Sequence, residues 1–208
     1  MLRKFLAATL FASLGTFILV VSIFRSAAIH YSFSPKAENR TENAQADTIV
    51  DYELPSPGSI LPDNPLWILK GFRDRVWLFL TPEVTRRAEL NLLFADKRLV
   101  TAKILIGKEK YDLGVLSLLK AERYLETASQ IEEAGRKKGI DTRPLLEKIT
   151  ISSLKHREII DELISLSPLD AKPEIIKIKD ITKEVFVRER NGLQEVGLTA
   201  PKCPSEWD

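Results

Sequence analysis

Two histidines and a single cysteine are the side chains of this chain whose ordinary pKa values lie nearest neutral pH, where proton transfer or thiolate chemistry is accessible. His156 stands one turn from Ser153 and Ile160 on an apolar helical seam. Two readings are open there: a pH-sensitive switch in a helical core, or a histidine partly buried and bonded to a neighbouring helix. A Glu-x-x-His pair of the kind that holds di-iron centres in bundles is ruled out, because position 153 is Ser. His30 falls in a polar stretch and reads as solvated. Cys203, alone and near the C-terminus, allows no intramolecular disulfide and no thiolate zinc cluster. The chain has no Gly-x-Ser-x-Gly, and Gly107-Lys108 lacks the preceding glycine and following hydroxyl of a phosphate loop. Acidic pairs such as Glu132-Glu133 read as the wet face of an amphipathic helix. No catalytic residue, cofactor or metal ligand is assigned.

The elements that would position any chemistry begin with an apolar run. After Arg3 and Lys4, the twenty residues from Phe5 to Phe24 carry no charge. At about 1.5 Å per residue they reach about 30 Å, the thickness of a bilayer's hydrocarbon core. Residues 1–28 therefore read as a membrane anchor or signal segment. The length of the run and the intervening Arg25 favour an uncleaved anchor over cleavage after Ser26-Ala27-Ala28. Flanking charges are nearly balanced, but the layout of short basic start, apolar run and small residues is that of an export signal. The expected placement is a single-pass protein in the cell membrane with its C-terminal domain extracytoplasmic. A net charge of +2 gives no support to nucleic-acid binding.

Residues 29–48 are polar and aperiodic, as in a flexible tether. Asn39-Arg40-Thr41 matches a glycosylation sequon, a pattern that often arises by chance. Residues 49–64 form a proline-rich lead-in; four prolines between Pro55 and Pro65 impose an extended path. Its expected role is rigid spacing. Asp63 is placed to cap a helix over 66–80 with Pro65 in its first turn. Thr81-Pro82-Glu83 opens the next, running to about Ile106 with Ala88, Leu92, Ala95, Leu99, Ala102 and Ile106 on one seam.

A third helix spans about 111–138, with Leu118, Ala121, Leu125, Ala128 and Ile131 inward and Gly139 as its stop. A fourth starts at Asp141-Thr142 with Pro144, places Leu146, Ile149, Ser153, His156, Ile160 and Leu163 inward, and ends at Ser167-Pro168. A fifth covers about 173–190 with Ile175, Ile178, Ile181 and Val185 inward, and Asn191-Gly192 ends it. Short connections predict antiparallel neighbours. The fold expected is all-α: an N-terminal transmembrane helix followed by an antiparallel bundle of about five helices over 65–191, with a loosely structured tail over 192–208. An echo of Ala88-Glu89, Leu92 and Ala95 at Ala121-Glu122, Leu125 and Ala128 has a period of 33 residues, but no third copy follows.

The residues Tyr52-x-Leu54-Pro55-x-Pro57-Gly58-x-x-Leu61-Pro62-Asp63-x-Pro65-Leu66-Trp67-x-Leu69-Lys70 resemble the opening of a bacterial domain family of unknown function. Arg87-Ala88-Glu89-Leu90 and Ala95-Asp96-Lys97-Arg98-Leu99 fit it too. The match covers roughly 52–128. Ile60 is an extra residue relative to the shortest form of the motif, and Trp67 stands where Tyr is more usual. The resemblance implies an exported, helical, often membrane-anchored protein and brings no activity with it.

Surface chemistry concentrates in one region. From Lys70 to Lys110 ten basic residues face five acidic ones. On a helical wheel Ile68, Phe72, Val76, Phe79 and Leu80 share one face, while Trp67 and Leu78 point the other way. A helix apolar nearly all round is covered on both sides or lies in a membrane interface. Trp67, Lys70, Arg73, Trp77, Arg86 and Arg87 are therefore candidates for an interaction or membrane surface, with plain packing under the lead-in as the competing reading. The function expected is a non-enzymatic, membrane-tethered interaction module with an envelope protein partner. The alternative is an exported sensor or chaperone-like bundle that binds an apolar ligand or unfolded protein in a groove lined by its seams.

Overall fold

Among the described residues, prolines and glycines separate five helices. The computed structural model describes residues 50–64 and 66–202, together with Gly15. The helices are α1 (Trp67–Phe79), α2 (Val84–Gly107), α3 (Tyr111–Lys137), α4 (Arg143–Leu166) and α5 (Lys172–Glu195). No strand occurs among the described residues. No helix among them is long and apolar enough to cross a membrane. The expected anchor, the tether, His30, Pro65 and Cys203 lie outside the described residues.

Helix boundaries follow local chemistry, with three departures from expectation. Gly139 (φ +82°) terminates α3 as predicted. Asp63 does not cap α1; its carboxylate pairs with Lys110 Nζ at 2.6 Å, and the Oδ1 of Asn64 accepts the Leu66 N–H instead. Thr81 does not cap α2 either. The residue at that position is Glu83, with no side-chain cap, while the Thr81 carbonyl accepts a hydrogen bond from Arg87 Nε. Helix α5 continues through Asn191-Gly192 and stops near Gly197 (φ +76°). Gly192 is a packing residue rather than a stop: a Cβ there would lie 2.9 Å from Arg136 Nη2 and 3.0 Å from Leu146 Cδ1.

The described residues fall into two compact units, one comprising 68–80 and the other 50–67 with 81–202. The bundle of the larger unit thus has four helices, α2 to α5. Close approaches give their directions. Gly114 abuts Ile106 and Phe94 meets Tyr124 edge-on at 5.7 Å, so α2 and α3 are antiparallel. Lys179 bonds Asp161 while Gly192 abuts Leu146, so α4 and α5 are antiparallel too. The pairs α2/α4 and α3/α5 are parallel: Asp96–Ser152 and Lys103–Glu162 link the first, Glu122–Thr182 and Ser129–Glu189 the second. Two helical hairpins therefore lie side by side in the same direction.

Among the described residues most apolar burial falls into two clusters, with a smaller one formed by Leu154 and Phe186. One joins Leu99, Ala102, Leu118, Ala121, Ile160, Leu163, Ile175 and Ile178. The other joins Ala88, Leu92, Ala95, Leu125, Ala128, Ile149 and Val185. Five of the six apolar residues of the 33-residue echo meet in the second cluster as opposing faces of one hairpin, and the sixth, Ala121, lies in the first. Ile131 and Ile181 are only partly buried; Glu132 and Thr182 occupy the inward positions beside them. Helices α2 and α3 approach closely at Gly114, where a Cβ would fall 2.5 Å from Ile106 Cγ1. Gly114→Val is expected to destabilise the chain by about 1–3 kcal/mol through overpacking. A urea midpoint equal to that of the unmodified chain would show that the hairpin can open there without penalty.

Candidate functional site

Between the two apolar clusters every bundle helix contributes a polar side chain to one buried layer. Asp96 comes from α2, Glu122 from α3, Ser152 and His156 from α4, and Thr182 from α5. His156 is 0% exposed. Burial alone would lower its pKa, but the charge of Glu122 and hydrogen bonds to Asp96 and Glu122 outweigh it and raise the value to about 9. The side chain is thus an imidazolium at neutral pH. Its Nδ1–H donates to Glu122 Oε1 at 2.7 Å and its Nε2–H to Asp96 Oδ1 at 3.1 Å. Thr182 Oγ1 donates to the second oxygen of Glu122 at 2.8 Å. Ser152 Oγ donates to Asp96 Oδ1 at 2.9 Å.

The remaining donor comes from outside the bundle. Tyr52 OH reaches Asp96 Oδ2 at 2.7 Å, and burial together with the Asp96 charge pushes its pKa up, holding the phenol protonated. Around it the lead-in is attached at several points. The Val50 N–H donates to Glu158 Oε2, Lys155 Nζ donates to the Val50 carbonyl, and Leu54 packs on the first apolar cluster. The lead-in is therefore a strap fastened along the bundle, and the expectation of a rigid spacer is corrected by these contacts. Tyr52→Phe leaves Asp96 Oδ2 without its donor, at an expected loss of about 1–3 kcal/mol. Protease sensitivity between residues 50 and 64 should rise in the same variant; unchanged cleavage would show that the strap is held by its other contacts alone.

A second polar group lies toward the C-terminal end of α3. Ser129 donates a short hydrogen bond to Glu189 Oε1, Thr142 Oγ1 donates to Glu132 Oε1 at 2.6 Å, and Arg136 pairs with Glu132 (3.3 Å) and with Glu195. Glu132 and Glu189 are both buried, and neither Oε2 atom has a hydrogen-bond partner. Burial raises both carboxyls. Glu189 reaches about 8, with the Glu132 charge adding to the effect and Ser129, Arg136 and Arg188 opposing it. The expectation that Glu132 belongs to a wet face is thus corrected: only Glu133, paired with Lys137, remains partly exposed. No group of three or more His, Cys, Asp or Glu among the described residues is arranged to hold a metal ion.

The candidate surface residues scatter into different environments. Trp67 lies under the Arg98 guanidinium, 4.1 Å from its ring centroid. Arg73 is hydrogen-bonded to Asp74, Arg86 pairs with Glu89, and Arg87 holds the Thr81 carbonyl. Lys70 is half-buried, and Trp77 is buried at 7% exposure, so its ring is not part of a surface. What the structure does expose is aliphatic and aromatic. Ile68, Leu69, Phe72, Phe79 and Leu80 on or beside α1 are between 57 and 85% exposed. With 3.6 residues per turn they fall within an arc of about 120°, opposite the buried Asp74. The wheel drawn from the sequence named four of these five residues; Leu69 is the addition.

At the end of the bundle formed by the α2–α3 and α4–α5 turns, a groove of about 730 Å³ is lined by Tyr111, Val115, Leu116, Pro168 and Ala171, with Glu109, Asp112, Asp170 and Glu174 among its acidic residues. It is separate from the α2 seam, whose residues are all packed in the core. Compared with family models, curated proteins and solved structures, the chain finds no significant match.

Proposed function

We propose that this protein is a non-enzymatic, membrane-tethered interaction module whose helical domain stands outside the cytoplasm in a bacterial envelope. The observation that carries the reading is the exposed apolar face of α1, where four large side chains of the helix and Leu80 just beyond it are left uncovered on one arc. The buried titratable groups fit the same view. His156, Asp96 and Glu122 are fully engaged with one another in the bundle interior, where they hold helices together and meet no solvent. The tether itself rests on the uncharged run Phe5–Phe24, and the envelope placement on the export-like layout and on the resemblance of the opening motif. The sensor or chaperone-like alternative called for a groove lined by the seams; Ala88, Leu92, Ala95, Leu99, Ala102 and Ile106 are instead closed into the core.

Cys203, the only thiol, provides the test. Intact cells treated with a membrane-impermeant maleimide, then fractionated with a carbonate wash, should yield labelled protein in the membrane pellet. Labelling that appears only after detergent lysis would reverse the orientation. Release by carbonate would remove the anchor, and a specific turnover by the purified chain would end the non-enzymatic reading.

A further inference from the structure

We infer that the exposed face of α1 is a second membrane contact, seated in the headgroup region of an anionic lipid surface. The inference rests on the tethered reading above and names the partner for its exposed surface. Three observations favour lipid over a protein groove. First, the apolar side chains are spread along the whole helix, from Ile68 at its start to Phe79 and Leu80 at its end, as a planar interface requires and a localised pocket does not. Second, the helix sequence contains Lys70, Arg73 and Arg75 against the single acid Asp74, a balance of +2. Third, that acid is buried and bonded to Arg73, so the exposed arc carries no carboxylate; Arg75, exposed, lies about 20° from Ile68 on the wheel. Apolar residues flanked by cations, with the acid withdrawn, match a surface of hydrocarbon topped by phosphate.

Amphipathic helices of this kind bind weakly alone, and a helix of 13 residues has a short apolar face. Joined to an anchor it gains from effective concentration: once the chain is held at the bilayer, α1 meets the lipid surface as an intramolecular event. The contact would therefore be strong in the tethered chain and dependent on anionic lipid.

The test uses the full chain with Cys203→Ser and Phe79→Cys, carrying an environment-sensitive fluorophore on the new thiol. Phe79 is 85% exposed near the end of α1, so the change leaves the buried Trp77 and the bundle core untouched. The labelled chain is reconstituted into vesicles of phosphatidylcholine with phosphatidylglycerol, and into phosphatidylcholine alone. In the anionic vesicles the fluorophore should be quenched by spin-labelled lipid and shielded from aqueous iodide. Phe72→Ser with Arg75→Glu should restore iodide access severalfold, and so should omission of phosphatidylglycerol.

A label open to iodide in chains that resist carbonate would overturn the α1 contact while leaving the tether intact. Lipid quenching in chains that carbonate releases would keep the contact and remove the tether. Shielding from iodide without lipid quenching, accompanied by cross-linking of two copies through position 79, would assign the face to a second copy of the chain and overturn the inference.

Discussion

Replacing His156 by leucine is expected to lower the stability of the bundle by about 3–5 kcal/mol, the range for removing one partner of a buried ionic group. The imidazolium lies between Asp96 and Glu122, each of which would be left with a charge that no cation in the layer offsets. Loss of packing volume is a secondary matter, since leucine fills most of the space. The distinction is measurable. Adding Asp96→Asn and Glu122→Gln to His156→Leu should recover part of the loss, because the stranded carboxylates are gone, whereas a cavity effect would be unchanged or deepened by further substitutions. The pH dependence follows from the raised folded value. With about 9 in the folded chain against 6.5 unfolded, the stabilisation is complete below pH 6.5 and is lost as pH rises through about 9. Urea midpoints across that window should fall more steeply in the unmodified chain than in the leucine variant, where the loss due to Glu189, ending near pH 8, remains. Parallel curves would refute the ionic account.

Glu189→Gln is expected to act in the opposite direction. The carboxyl titrates near 8 in the folded chain and near 4.5 when unfolded, so the folded state holds a proton that the unfolded state has released. Stability from this group is full below pH 4.5 and is lost as pH rises through about 8. Glutamine keeps the oxygen that accepts from Ser129 and cannot ionise. The variant should match the parent at pH 4 and exceed it at pH 8 by an amount on the order of a few kcal/mol, since each pH unit of displacement is worth about 1.4 kcal/mol. A variant that loses stability equally at both values would mean that the carboxyl is held ionised by Arg136 and Arg188.

The helices were legible in the sequence because their signals are local. Pro144 and Pro173 mark starts, Gly139 marks an end, and the spacing of Ala88, Leu92, Ala95 and Leu99 reports a buried stripe without any knowledge of the partner. Signals that depend on a neighbour were misread. Gly192 has the composition of a helix stop, and only the Arg136 guanidinium beside it explains why the helix needs a glycine and continues. Glu132 and Glu189 sit at inward positions, but a carboxylate on an amphipathic helix is usually wet, and their partners Thr142 and Ser129 are distant in sequence or unremarkable in type.

His156 was recognised as inward-facing. Its two carboxylates were not, because Asp96 and Glu122 reach it across separations of 60 and 34 residues that no pattern within one helix encodes. Tyr52 is visible in the sequence as part of a motif, yet its role as a donor to Asp96 depends on the strap's path over the bundle. The seven-residue step is the trace that was available: Glu122 and Ser129 on α3 meet Thr182 and Glu189 on α5, each pair 60 apart.

The fastening of the strap also determines how the domain meets a mechanical load. Tension delivered from the N-terminal side of Val50 arrives first at the Val50 bonds to Glu158 and Lys155 and at the Tyr52–Asp96 bond. It reaches α4 and the middle of α2 before it can draw on the end of any helix. These contacts share the load between two parallel helices, and it enters the four-helix unit at mid-helix rather than at a helix end.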